Sequence, residues 1–136
     1  MEMSPLADTA GRIIAALRES GAESIARLLA DDIVMELPFH PAGALRLEGR
    51  DAVLKALASL GALFRRFRLN AHEIRVCGAQ QTVIVEATGF GLAAGDGAVY
   101  QNRYVFLFTL RDDRVCRWRE YLNPYPVMGL SAPPTT

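Results

Sequence analysis

Residues 100–125 read YQNRYVFLFTLRDDRVCRWREYLNPY, and the pattern inside them decides the fold. Tyr100 to Leu110 is rich in aromatic and β-branched residues. It gives way to Arg111-Asp112-Asp113-Arg114, resumes as Val115 to Asn123, and meets Pro124 and Pro126. Two such runs flanking a short polar cluster predict an antiparallel hairpin, and prolines that cannot donate to a ladder end it. Strand side chains alternate between faces. Asn102, Tyr104, Phe106 and Phe108 therefore share one face of the first strand, and Trp118, Glu120 and Leu122 share one face of the second. Each set carries a polar group among large apolar ones. A small-molecule pocket is lined this way, and so is a core holding one satisfied polar pair.

Working outward, Ser4-Pro5 marks a helix start, with Ser as cap and Pro in the first turn. Leu6, Ala10, Ile13, Ile14 and Leu17 then recur at helical spacing, and Ser20-Gly21 ends the helix. A short second helix carries Ile25, Leu28 and Leu29 until Asp31-Asp32 breaks it. Ile33 to Phe39 reads as a strand with Ile33, Met35, Leu37 and Phe39 on one face, and Pro38 and Pro41 make its far end an edge. His40 to Gly49 reads as a loop. A third helix opens at Arg50 or Asp51, with Val53, Leu54, Leu57 and Leu60 as its stripe, and Phe64 and Phe67 extend the apolar surface past its end. Leu69 to Cys77 and Thr82 to Ala93 are two further strands, turning at Gly78–Gln81 and Gly95–Gly97. Gly89 and Gly91 predict a bend or bulge in a strongly curved sheet.

The resulting order, α-α-β-α-β-β-β-β, predicts one α+β domain over residues 1–136. Its core runs from about residue 5 to 127, and residues 128–136 form a tail. The expected architecture is a cone-shaped, strongly curved antiparallel sheet packed on three helices from the N-terminal half. The chain has 136 residues, long enough to bury about two-thirds of its extended surface. Lys+Arg and Asp+Glu balance at 15 each, which leaves no basic footprint for nucleic acid or anionic lipid. No apolar run reaches membrane-spanning length and no signal segment starts the chain, so a soluble cytoplasmic protein is expected. Cys77 and Cys116 lie far apart inside strands and read as buried free thiols. Neither His40 nor His72 has metal-ligand spacing to the carboxylates, and no phosphate loop, nucleophile elbow or dinucleotide fingerprint occurs. No cofactor and no metal are expected.

The element order, Leu29-Ala30-Asp31-Asp32-Ile33-Val34, Gly49-Arg50-Asp51-Ala52-Val53 and Trp118-Arg119-Glu120-Tyr121 together resemble the nuclear transport factor 2-like superfamily. The nearest branches are SnoaL-like polyketide cyclases, ketosteroid isomerases and the limonene-epoxide-hydrolase type. The resemblance runs from about Leu6 to Val127. It implies a conical sheet around a deep apolar pocket, frequent dimerisation through the outer face of the sheet, and no single reaction. Matched by position, the isomerase oxyanion tyrosine falls on Ile13, its catalytic aspartate on Leu37 and its second acid near Val105 or Phe106. Steroid isomerase chemistry of that type is therefore rejected. For the epoxide hydrolase type, the water-holding pair falls on Met35 and Leu37, and its middle-strand Arg-x-Asp falls near Glu86, where no arginine stands. The acid of its last strand matches Glu120.

Glu120 is thus the candidate acid/base, because a carboxylate in an apolar pocket has a raised pKa. Asn102 is a candidate for orienting a substrate carbonyl or Glu120, and Tyr104 for donating to an oxyanion. Met35, Leu37, Phe39, His40, Glu86, Phe106, Trp118 and Leu122 are the expected pocket lining. His72 reads as structural, and Arg103, Arg117 and Arg119 as outer-face residues. Two functions stay open. One is a cofactor-independent isomerase, cyclase, dehydratase or hydrolase acting on a small hydrophobic carbonyl, enol or epoxide compound. The other is a non-catalytic ligand-binding or accessory dimerisation module. A homodimer is expected, since Val105, Leu107 and Tyr121 make the outer face too apolar to stay wet.

Overall fold

The computed structural model describes residues 5–19 and 22–130. Its elements in order are α1 (Pro5–Glu19), α2 (Ala22–Ala26), β1 (Leu29–Leu37), β2 (Leu45–Glu48), α3 (Arg50–Gly61), β3 (Phe64–Cys77), β4 (Thr82–Ala93), β5 (Val99–Arg111), β6 (Arg114–Leu122) and α4 (Pro124–Met128). The six strands form one sheet in the order β2-β1-β6-β5-β4-β3. It is an α+β fold with a curled, unclosed sheet and its three main helices in the N-terminal half, as the sequence predicts. The expected Ser4 cap and Ser20-Gly21 stop lie outside the described residues.

The hairpin is the spine. Phe108 pairs with Trp118 and Phe106 with Glu120, and all four side chains are buried. Asp112 and Asp113 both take positive φ, 53° and 62°, giving the two-residue turn whose twist matches antiparallel strands. β3 to β6 form an antiparallel meander. β1 departs from it by running parallel to β6, which the intervening helix and strands permit.

Several boundaries differ from expectation. β1 begins at Leu29 rather than Ile33, so Asp31-Asp32 interrupts no helix. The register against β6 slips between Leu29 and Val34, and the two exposed carboxylates there pair with Arg50 (2.9 Å) and Arg111 (2.5 Å). The loop expected over His40 to Gly49 contains β2, whose Leu45 and Leu47 pair with Leu37 and Met35. β3 starts at Phe64, five residues early, because Phe64 and Phe67 face inward as strand residues. Gly89 and Gly91 create no bulge, since β4 stays in unbroken register with β5. The slips lie on β3, between Phe64 and Arg66 and between Ala71 and Glu73. The glycines make room for rings: a Cβ on Gly89 would lie 2.7 Å from the Tyr104 ring and 3.1 Å from Phe67. Past Pro124 the chain turns into α4, capped by Asn123, and Leu130, within the stretch expected as a tail from residue 128, packs against the core. Cys77 is free but exposed, contrary to a buried thiol, because it ends β3. Cys116 is free and half-buried, its thiol directed at the Thr109 carbonyl.

α1 and α3 cover the concave side of the sheet. Ala10, Ile13, Val53, Met35, Phe108 and Trp118 close the deep end of the core, each fully buried.

Candidate functional site

Between the helices and the concave face lies a cavity of about 450 Å³. Leu17 of α1, Leu54 and Leu57 of α3, and Phe64, Phe67 and Leu69 of β3 form its apolar walls. Tyr104, Phe106, Trp118, Glu120 and Leu122 of the hairpin form its floor, Tyr100 stands toward its mouth, and Val127 and Leu130 flank it. No helix among the described residues is long and apolar enough to cross a membrane. No group of three or more His, Cys, Asp or Glu among them is arranged to hold a metal.

Among the described residues, Glu120 is the only carboxyl lining the cavity. Alternation on β6 sends it inward between Trp118 and Leu122, and it is 8% exposed. Its one hydrogen bond comes from Trp118 Nε1 at 3.1 Å, and no arginine, lysine or histidine among the described residues pairs with it. Loss of water disfavours the charged form and pushes this carboxyl up to about 7, against the smaller opposing pull of the Trp118 bond.

Tyr104 pairs with Leu122, so it lies diagonal to Glu120 across the hairpin, with about 7–8 Å between backbones. Its hydroxyl lies 2.6 Å from that of Tyr100. Burial raises the pKa of both phenols, so both stay protonated, as donors should. One proton is used between the two oxygens, leaving the pair one O–H to offer the cavity.

Asn102 is not on the cavity wall. Its amide group donates to the Tyr100 hydroxyl (2.7 Å) and the Asn123 carbonyl (2.9 Å). Its oxygen accepts from Arg103 N (2.8 Å) and Asn123 N (3.0 Å). All of its bonding capacity is taken, so it orients neither a substrate carbonyl nor Glu120. Instead it ties the end of β6 to β5 and steadies Tyr100. Tyr100 is the polar residue that sequence reading missed, although its even number places it on the face of Tyr104. Arg65, which also lines the cavity, was not expected there because it sits at the register slip between Phe64 and Arg66, where alternation fails.

Of the expected lining, Leu37, His40, Phe106, Trp118 and Leu122 reach the cavity. Met35 does not; it is buried opposite Trp118, beneath the floor. Phe39 does not either, because β1 ends at Leu37 and frees it to pack edge-on against Tyr121 on the outer face, where it is 56% exposed. Glu86 also points outward. It pairs with Arg75 at 2.6 Å, and that bond lowers its pKa. His72 bonds Thr88 Oγ1 at 2.7 Å, away from the cavity. Arg117 and Arg119 lie on the outer face, at 3.0 and 3.5 Å from the Glu36 carboxylate.

A family model described as the SnoaL-like domain matches residues 10–118. The Bacillus subtilis (strain 168) protein YesE, itself uncharacterised, is 26% identical over 127 residues, covering 93% of this chain and 86% of that protein. A crystal structure from Bacillus subtilis, provisionally described as an isomerase, superposes with TM-score 0.82 at 25% identity, covering 92% of this chain and 93% of that one. A structure from Jannaschia sp. CCS1, provisionally described as a SnoaL-like polyketide cyclase, gives TM-score 0.80 at 22% identity, covering 98% and 99%.

Proposed function

This chain belongs to the SnoaL-like domain family, and we propose that within it the protein is a cofactor-independent proton-transfer enzyme for a small hydrophobic carbonyl or enol compound. The observation that carries this reading is the Glu120 carboxyl, buried between Trp118 and Leu122 and pushed up to about 7 by loss of water, with no ion-pair partner among the described residues. A group poised near neutrality can both take and return a proton. In this reading ionised Glu120 removes a proton from the carbon next to the substrate carbonyl. The electron pair moves onto the carbonyl oxygen, where the free O–H of the Tyr100–Tyr104 pair donates to it. Protonated Glu120 then returns the proton at another carbon; alternatively the enolate carbon attacks a second carbonyl of the same molecule, whose C=O π bond opens to an alkoxide that takes the proton from Glu120. Asn102 acts as a positioning residue through Tyr100. The Trp118 bond fixes the carboxyl's orientation. The same bond also favours a second reading, in which Glu120 is a satisfied anchor for a bound ligand and no reaction follows.

Deuterium uptake separates the two readings. Apolar cyclic ketones in deuterated buffer gain deuterium beside the carbonyl when the enzyme enolises them. Wild type is expected to accelerate uptake for at least one ketone, Tyr104→Phe to lose roughly 10²-fold, and Glu120→Gln to lose the acceleration. Equal rates with wild type and Glu120→Gln across the panel leave only the binding reading.

The protein is further proposed to work as a homodimer in the cytoplasm. Ile84, Leu107, Val105 and Tyr121 are cross-strand neighbours on the convex face and only half-buried. Two free thiols suit a reducing compartment.

A further inference from the structure

The charges around the cavity are unevenly placed. Glu120 and Tyr104 sit toward its floor, whereas Arg65 stands at the open end, where β3 begins and β4 gives way to its turn. Its Nε donates to the Ala94 carbonyl at 3.1 Å and its Nη2 to the Gly95 carbonyl at 2.9 Å. These oxygens fix the guanidinium without neutralising it, and no ion pair with a carboxylate forms among the described residues. Arg66, the next rim residue, likewise forms no ion pair with a carboxylate among the described residues. On the wall, His40 accepts the Ala42 N–H at Nδ1 (3.2 Å), which puts any single ring proton on Nε2 as a donor. Beside His40, the walls between floor and rim carry Leu57, Phe64 and Phe67, all apolar.

A fixed cation at the mouth of a low-dielectric cleft focuses its field there, and with Nε and one Nη2 proton engaged, the Nη1/Nη2 edge is left to meet an anion. From Gly89, over which the Tyr104 ring leans, to Ala93, opposite Phe64, is about 14 Å of strand, which curvature shortens. Two fused rings bearing a short acid arm, or a medium-chain acid, with a hydrogen-bond contact of about 3 Å at each end, spans this gap. We propose that the cavity takes an apolar carboxylic acid, its carboxylate against Arg65 at the rim and its body along Phe64 and Phe67, with the far end at Tyr104 and Glu120. This rests on the same cavity as the enzymatic reading and adds the class of its ligand.

The test uses two competitors that share a body, naphthylacetate and naphthylethanol, each displacing the neutral fluorophore anilinonaphthalene from the full chain. Wild type is expected to favour the acid by about fivefold or more at low salt, with the ratio shrinking as salt is raised. Arg65→Gln brings the ratio near one, and Arg65→Lys, which keeps the charge but loses the fork, retains most of it. Equal displacement by both competitors in wild type overturns the proposal, as does an unchanged ratio in Arg65→Gln or failure of both to displace. The salt series on wild type stands whether or not the variants fold. Glu120→Gln is expected to keep the acid preference while losing deuterium uptake, so the ligand class and the reaction fail by different readouts.

Discussion

Replacing Glu120 by Gln keeps the side chain's shape and its capacity to accept from Trp118 Nε1, and removes the titration. Because the folded carboxyl holds its proton to about 7 and the ordinary value is 4.5, the folded state binds more protons than the unfolded one between those limits. Stability contributed by this group is therefore complete below about 4.5 and is lost as pH rises to about 7, after which the deficit is constant. At about 1.4 kcal/mol per pH unit, the loss is on the order of 3 kcal/mol. Since the glutamine variant escapes it, the stability of Glu120→Gln relative to wild type should rise by about 3 kcal/mol between pH 4 and pH 8. Comparing the two pH values cancels any fixed penalty for the new amide. With a urea slope of about 1–3 kcal/mol per molar, the midpoints separate by about 1 M or more. Urea melts at both pH values, followed by tryptophan fluorescence, read this directly because Trp118 is the chain's only tryptophan. A difference that stays flat from pH 4 to pH 8 refutes the raised carboxyl. A difference that moves the other way means that Glu120 is stabilised as an anion, and the acid/base reading loses its support.

Asn102→Ala leaves the Asn123 backbone and the Tyr100 hydroxyl short of partners, and should lower stability by about 2–4 kcal/mol in the same melts. A loss below about 0.5 kcal/mol would mean that water replaces the amide. Gly89→Ala forces a methyl into the Tyr104 ring and should cost about 1–3 kcal/mol while slowing deuterium uptake, a combined effect that melts and exchange measure together. Sedimentation at tens of micromolar should give a dimer; a monomer alone would remove the proposed association through the convex face.

The hairpin was legible because its alternation is loud: Phe106, Phe108 and Trp118 face in, while Arg117 and Arg119 face out. Glu120 followed from the same parity. Parity is silent on which face of an isolated strand lies inside, so Glu86 was placed with the lining although it belongs outside. It also fails where the ladder slips, which hid Arg65, and where a strand stops, which misplaced Phe39. Leu45 to Glu48 is too short for any periodicity to show. Leu28-Leu29-Ala30 suits helix and strand equally, so the start of β1 was settled by β6, more than 80 residues away. Asn102 depended on the backbone of Asn123, a tertiary partner that no local spacing announces.

That distant pairing also bears on the order in which the molecule assembles. β3 to β6 join through short turns, so their ladders close small loops. β1 meets β6 only after almost the whole chain has been made, and closing so long a loop is entropically slow. We therefore expect a nucleus in the β5–β6 hairpin, with β1, β2 and α3 docking late. Folding rates should then respond strongly to Phe108→Leu and weakly to Ile33→Val, whose effect should fall on unfolding. The reverse pattern in stopped-flow kinetics would discard this order. Until α3 docks together with β1, the aromatic floor lacks part of its cover, so a refolding chain should transiently bind more of an apolar dye than the finished cavity holds.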